Sequence, residues 1–256
     1  MQWRHLAWLT VTALSPAVAW CDQAPPPVPM GVWSGKGQLG FLDSQGNTVA
    51  ESANAALDMA LLTGPWKHTL HLEGLYGKSA DVVSAERYEG LWQSNYNLTS
   101  ALFAFGALRY EHDLFSGFQY QGSATAGIGY QIFNSARTKL SVQLGAGDRD
   151  ERPETLLKDN SGAVIRRIPL ARDNGAIGTA GLNVTQYLTA TTSLSDTALV
   201  EGGGNNTLFT DTFALTVKVS TKVALSVGYN LQDNTNPPLG LKKVDSTETV
   251  NLVYSF

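Results

Sequence analysis

The sequence predicts an all-β fold, an antiparallel β-barrel of about twelve strands that crosses a membrane. Three observations predict it. Apolar and polar residues alternate with a period of two through most of the chain after residue 32, and only a strand places alternate residues on opposite faces. The alternating runs are mostly 11–16 residues long, whereas globular strands average about five or six and a tilted membrane-crossing strand needs about 9–11. The connections between runs are short at one end and mostly longer at the other, as in barrels of a bacterial outer membrane.

Composition narrows the function classes. The 256 residues are 43% apolar and only 16% charged, with 25 Gly, one Cys and a net charge of −4. A soluble domain carries about 25% charged residues. One cysteine excludes a disulfide scaffold and a cysteine-based metal site. The acidic balance offers no field for nucleic acid.

The elements follow in order. Arg4 and His5 precede an apolar stretch, Leu6 to Leu14, and then Ala17-Val18-Ala19. Such a sequence reads as a secretory signal peptide over 1–19, cleaved after Ala19. Cys21 invites acylation as a lipoprotein, but Trp20 stands where a lipoprotein signal needs a small residue. The Pro-rich segment 20–31, with Ala24 to Pro29 reading APPPVP, is an extended periplasmic spacer. The barrel occupies 32–256. Its strands are expected near 33–43, 48–62, 66–77, 85–98, 101–113, 118–133, 138–151, 172–188, 190–201, 207–219, 222–233 and 244–256.

With the N-terminus in the periplasm, the even connections, such as Thr63-Gly64-Pro65, Thr99-Ser100 and Ser220-Thr221, are short. Most of the odd ones are longer, at 78–84, 114–117, 152–171, 202–206 and 234–243, while the first, at Gln45-Gly46-Asn47, is a tight turn. Segment 152–171 reads as a solvated loop. Aromatics gather near strand ends, with Trp33, Trp66, Tyr96, Tyr130, Tyr187 and Tyr254 on one side and Tyr76, Tyr88, Tyr110, Tyr120 and Tyr229 on the other. Two interfacial girdles have that pattern. At the end of the chain Val250, Leu252, Tyr254 and Phe256 share a face, and they resemble the terminal signal by which outer-membrane barrels are recognised for insertion.

Several segments resemble the YdiY-type family of salt-induced outer-membrane proteins, domain of unknown function 481. They are Trp33-Ser34-Gly35 with Ser44-Gln45-Gly46-Asn47-Thr48, Arg109 to Asp113 with Phe115-Ser116-Gly117, and Ala126-Gly127-Ile128-Gly129-Tyr130. Gln45 interrupts the family's usual S-G-N-T. The resemblance spans nearly the whole mature chain and implies a small barrel in the outer membrane of a Gram-negative bacterium. It carries no activity and no catalytic residues.

Chemistry, where there is any, faces the bore. His71, Glu73, Arg87, Glu89, Arg109, Glu111 and Lys139 fall on the expected inner face. Mixed charges could line a narrow pore and tune which solutes pass, or pair across the wall and plug it. A twelve-stranded barrel lies between side-chain-filled and open sizes, and the reading leans slightly to a narrow pore. A hydrolase would use His112 with Ser116 or Ser123, but no G-x-S-x-G elbow exists to hold a serine, so the chain is read as a non-enzyme. Asp148-Arg149-Asp150 with Glu151 lacks the glycine of a calcium loop, Pro153 standing in its place. The expected partners are outer-membrane lipid, the barrel-assembly machinery during insertion and small solutes, without cofactor, metal or nucleic acid. A surface receptor working through its outer loops is the remaining alternative.

Overall fold

The computed structural model describes residues 31–44, 50–79, 82–159, 164–204 and 206–256. The leader at 1–19, the spacer as far as residue 30, the Gln45-Gly46-Asn47 turn and Asn205 lie outside the described residues. The first strands are β1 (Val32–Ser44), β2 (Ala50–Thr63), β3 (Trp66–Ser79), β4 (Val82–Asn97), β5 (Leu102–Asp113) and β6 (Phe118–Asn134). They are followed by β7 (Thr138–Lys158), β8 (Val164–Pro169), β9 (Asp173–Tyr187), β10 (Thr192–Gly203), β11 (Asn206–Lys218), β12 (Val223–Asn234) and β13 (Val244–Ser255).

Twelve of these strands form a closed antiparallel ring, in which β13 pairs with β1 and β6 with β7, while β8 pairs with β7 alone. Closure leaves no free sheet edge in the ring. Among the described residues there is no helix.

The alternation reads directly as two faces. Glu201 on β10 meets Arg109 on β5, four strands away round the ring, a contact that only the bore permits. Residues in register with them therefore face inward and their neighbours outward. The outer face is apolar, with Leu39 68% and Val250 67% exposed. The described residues hold thirteen buried polar or charged side chains against seven buried apolar ones, the reverse of a soluble core.

The aromatics of the outer face form ladders. Trp66 stacks on His68 at 5.7 Å and meets Tyr96 edge-on at 4.9 Å, and Tyr110 stacks on Tyr120 at 6.3 Å. Tyr187 departs from the girdle expected of it, because its register partner Ser193 puts it on the inner face.

The start of β1 and the end of β13 lie at the end with the short turns, called here the terminal end, and the opposite end is the loop end. Four terminal-end turns share one device, in which a hydroxyl opens the turn. Thr99, Ser135, Thr189 and Ser220 each accept amides two and three residues on, the latter from Leu102, Thr138, Thr192 and Val223 at 2.9–3.1 Å. The fifth turn uses Gly64 at φ +57 before Pro65.

Segment 152–171 is not a loop. β7 continues past the barrel wall to Lys158 and pairs with β8 from Glu154↔Pro169 to Lys158↔Val164, so the segment projects as a hairpin. Pro153 marks the departure, since β6 ends opposite it at Phe118 and Glu154 N donates to Gly117 O at 2.7 Å. The expected connection at 78–84 also shrinks to two residues, because β3 and β4 both run further than the alternation indicated.

Candidate functional site

The inner face of β1 to β7 carries charge in rows. Lys36, Asp58 and His71 are successive register partners on β1, β2 and β3. Glu73, Glu89 and Glu111 form the next row on β3, β4 and β5. Lys36 Nζ lies 3.4 Å from Asp58, and His71 places Nδ1 2.8 Å from Asp58 and Nε2 3.5 Å from Glu73. A ring with a carboxylate at each nitrogen donates to both only as imidazolium.

The carboxylate row would repel itself without the guanidinium groups set among it. Arg87 pairs with Glu89 and lies 3.1 Å from Glu111, while Arg109 pairs with Glu111 and lies 3.2 Å from Glu89. The group is dry, since the Glu111 side chain is 1% exposed and that of Arg109 5%. Charges this deep require pairing, and deleting one partner of such a cluster costs about 3–5 kcal/mol.

The cluster also crosses the bore. Arg109 Nη1 reaches Glu201 Oε2 on β10 at 3.5 Å, and Ser123 on β6 donates to Glu201 Oε1 at 2.8 Å. Arg149 on β7 lies 3.2 Å from Glu151 and donates to the Glu201 and Asn206 carbonyls at 3.5 and 3.3 Å. Gln121 donates to Glu151 at 3.2 Å. A tie therefore runs from β5 and β6 to β10 and closes off the β6–β9 side of the bore.

Another chord lies nearer the terminal end, where Gln93 on β4 donates to Gln143 on β7 at 3.3 Å. The opposite wall is different in kind. β9 to β13 present Asn183, Thr197, Thr212, Asn230 and Thr247, one register row, to the interior. Asn183, Thr197 and Thr212 are mid-strand, inward and exposed, so solvent reaches the bore beside the dry tie.

Two segments fold over the loop end. Residues 235–243, between β12 and β13, reach the β5–β6 turn on the opposite side of the ring, where Leu241 and Pro238 crowd Gly117. The β7–β8 hairpin packs on the same turn, with Arg167 donating to the Leu114 carbonyl and pairing with Glu154 at 2.8 Å. Beneath lies a cavity of about 280 Å³ lined by Phe118, Arg149, Glu151, Asn206, Asn236 and Pro238, among others. Outside it, Asp150 of β7 pairs with Arg172 in the β8–β9 connection and raises that guanidinium above its ordinary pKa.

The seven inner-face residues named from the sequence separate into two groups. His71, Glu73, Arg87, Glu89, Arg109 and Glu111 meet in one network, and Lys139 stands apart at the terminal end. Arg149 and Glu151 were weighed only as part of a calcium loop, and Asp58 and Glu201 were not singled out, although Glu201 shares its alternation with Ser193, Ser195 and Thr197. The residues weighed as a hydrolytic set do not meet. His112 contacts the Gln119 carbonyl, Ser116 donates to Asp113 O at 2.9 Å, and Ser123 lies in the bore on Glu201. Among the described residues no cluster of three or more His, Cys, Asp or Glu is arranged to hold a metal ion.

A family model described as a protein of unknown function, DUF481, matches residues 37–256. The uncharacterized protein YdiY of Escherichia coli (strain K12) is 26% identical over 224 residues, covering 87% of this chain and 83% of its own length. Among solved structures, the NanC porin is similar with a TM-score of 0.48 and 10% identity, over 87% of this chain and 98% of that one. An outer membrane channel from Pseudomonas putida F1 has a TM-score of 0.48 and 13% identity, over 89% of this chain and 96% of that one.

Proposed function

The chain belongs to the DUF481 family, and from that premise we propose that it is an outer-membrane barrel of a Gram-negative bacterium that passes small polar solutes through a narrow, eccentric bore. The apolar outer face supports the membrane setting, since a closed barrel satisfies its backbone in lipid and needs an apolar exterior there. Val250, Leu252, Tyr254 and Phe256 lie exposed on that face at the end of the chain. They are the surface an assembly machinery would recognise, and lipid is the partner of the outer wall. His71, Glu73, Arg87, Glu89, Arg109, Glu111 and Lys139 make up the charged side of the bore.

The observation that carries the reading is the contrast inside the bore. The tie between Arg109 and Glu201 is dry, while Asn183, Thr197 and Thr212 on the neighbouring wall are wet. Passage runs along the hydroxyl and amide wall of β9 to β13, and the charged network sets its width. A link to salt or osmotic response rests on the family resemblance, and protein levels before and after an osmotic upshift test it.

Single-channel recording of the refolded protein tests the pore. Small steady currents are expected, with a larger unit conductance for Glu201→Ala, which removes the cross-bore anchor without touching β5. Currents at the buffer baseline for both proteins would sink the pore. They would leave the second reading, a closed barrel acting through its loop end, which the packing of 235–243 against Gly117 favours.

A further inference from the structure

The geometry points to an oxyanion subsite at the terminal end of the bore, formed by Lys67 and Lys139 with the amides of Gln93, Asn95 and Gln143, for a small phosphate- or carboxylate-bearing solute. It deepens the transport reading, on which it rests for its physiological meaning, by giving the bore a preferred class of passenger.

The charge of the bore is divided along its axis. Lys67 is the second residue of β3 and Lys139 the second of β7, and their register partners Asn95 and Thr185 place both on the inner face. Lys218, at the end of β11, falls on that face too. Among the described residues, no inward Asp or Glu lies within four residues of the terminal end of its strand. The Phe256 carbonyl oxygen at this end accepts the Gly35 amide at 3.0 Å. The inward carboxylates begin higher, at Asp58 and Glu73, and each of these already has a cation.

Lys67 and Lys139 come from walls four strands apart, yet they lie within electrostatic reach of one another. Neither has an ion-pair partner among the described residues. Both are exposed and face the same bore, and like charges so placed repel, which a shared anion relieves. The surroundings suit such a guest. Gln93 already bridges to Gln143 at 3.3 Å and to Asn95, the register partner of Lys67, at 2.8 Å, which fixes three amides towards this end of the bore. Phe103 and Phe105 pack, buried, on the wall between them.

Lysine reactivity reads the site without needing a current. The refolded barrel in detergent is treated with a limiting amount of an amine-reactive ester, in inorganic phosphate or in chloride at equal ionic strength, and each lysine is followed by mass spectrometry. Phosphate should slow acylation of Lys67 and Lys139 several-fold relative to Lys242 and Lys243 at the loop end. Lys67→Gln should abolish the protection of Lys139, and Lys67→Arg should keep it, with heat-modifiable gel migration reporting that each variant is folded. Equal rates in phosphate and chloride, or a Lys139 still protected in Lys67→Gln, would overturn the subsite. A barrel that shows this protection but carries no current would refute the pore alone.

Discussion

On the outer face of β10 and β11, Asp196 and Asp211 bring their carboxyls together as diagonal neighbours, Asp196 opposite Phe213 and Asp211 opposite Ala198. The Oδ1 atom of each is buried and has no donor. The bore treats its carboxylates differently, since Glu89, Glu111 and Glu201 are all held by guanidinium groups. Two facing carboxyls can satisfy one another only by sharing a proton, whereas an amide supplies a donor without one. Asp211→Asn is therefore expected to stabilise the barrel by about 1 kcal/mol, the usual worth of a donor given to an unsatisfied buried acceptor. A denaturant midpoint that rises for Asp211→Asn supports this account, and one that falls would show that the pair is satisfied some other way.

β6 and β7 approach closely at their glycines. A Cβ at Gly127 would collide with the β7 backbone at Leu144, and one at Gly147 with the β6 backbone at Ala124. The rings of Phe103 and Phe105 cover Gly129 and Gly145, aromatic side chains filling the space that glycine leaves. Gly147→Ala should cost about 1–3 kcal/mol, as overpacking does, and lower the heat-modifiable fraction after refolding. Gly178→Ala on β9, where the nearest atom is 3.9 Å away, should leave that fraction unchanged, and equal losses for the two would refute the close approach. At this scale the sequence was most legible. The alternation placed strands at 190–201, 207–219 and 222–233, within two residues of β10, β11 and β12. It failed on the β7–β8 hairpin because Pro153 interrupts the pattern and the hairpin is charged at both ends, from Arg152 to Arg167. The period of two sorts residues into faces, so Arg109 and Glu111 fall together. It cannot say which side chains meet along a chord of the bore. The tie between Arg109 and Glu201 joins strands four apart in the ring, so Glu201 was invisible as a partner.

For the whole molecule, the two ends of the barrel are built differently. The terminal end is finished by short turns that keep to the wall, each closed by its own hydroxyl or glycine. At the loop end, residues 235–243 cross to a turn about half the ring away. The crossing is anchored at its base, where Asn234 N donates to Lys243 O at 2.7 Å, Thr235 N to Thr207 O at 3.0 Å and Asn236 N to Asn206 Oδ1 at 3.2 Å. Pro237 and Pro238 stiffen it by limiting the conformations open to the released chain. Its far contact is small and apolar, Leu241 and Pro238 against a glycine at φ +79 that leaves room for them. A crossing held so lightly at its tip can be detached without disturbing the ladders below. Leu241→Asp would set a carboxylate against that contact near Asp113, so the segment should lift while the barrel keeps its heat-modifiable migration. Lys242 and Lys243 follow the contact directly, which makes limited trypsin digestion the measurement. Cleavage after them should be slow in the parent protein and several-fold faster in Leu241→Asp. Equal cleavage would mean that the anchors at the base, rather than the contact across the mouth, hold the segment in place.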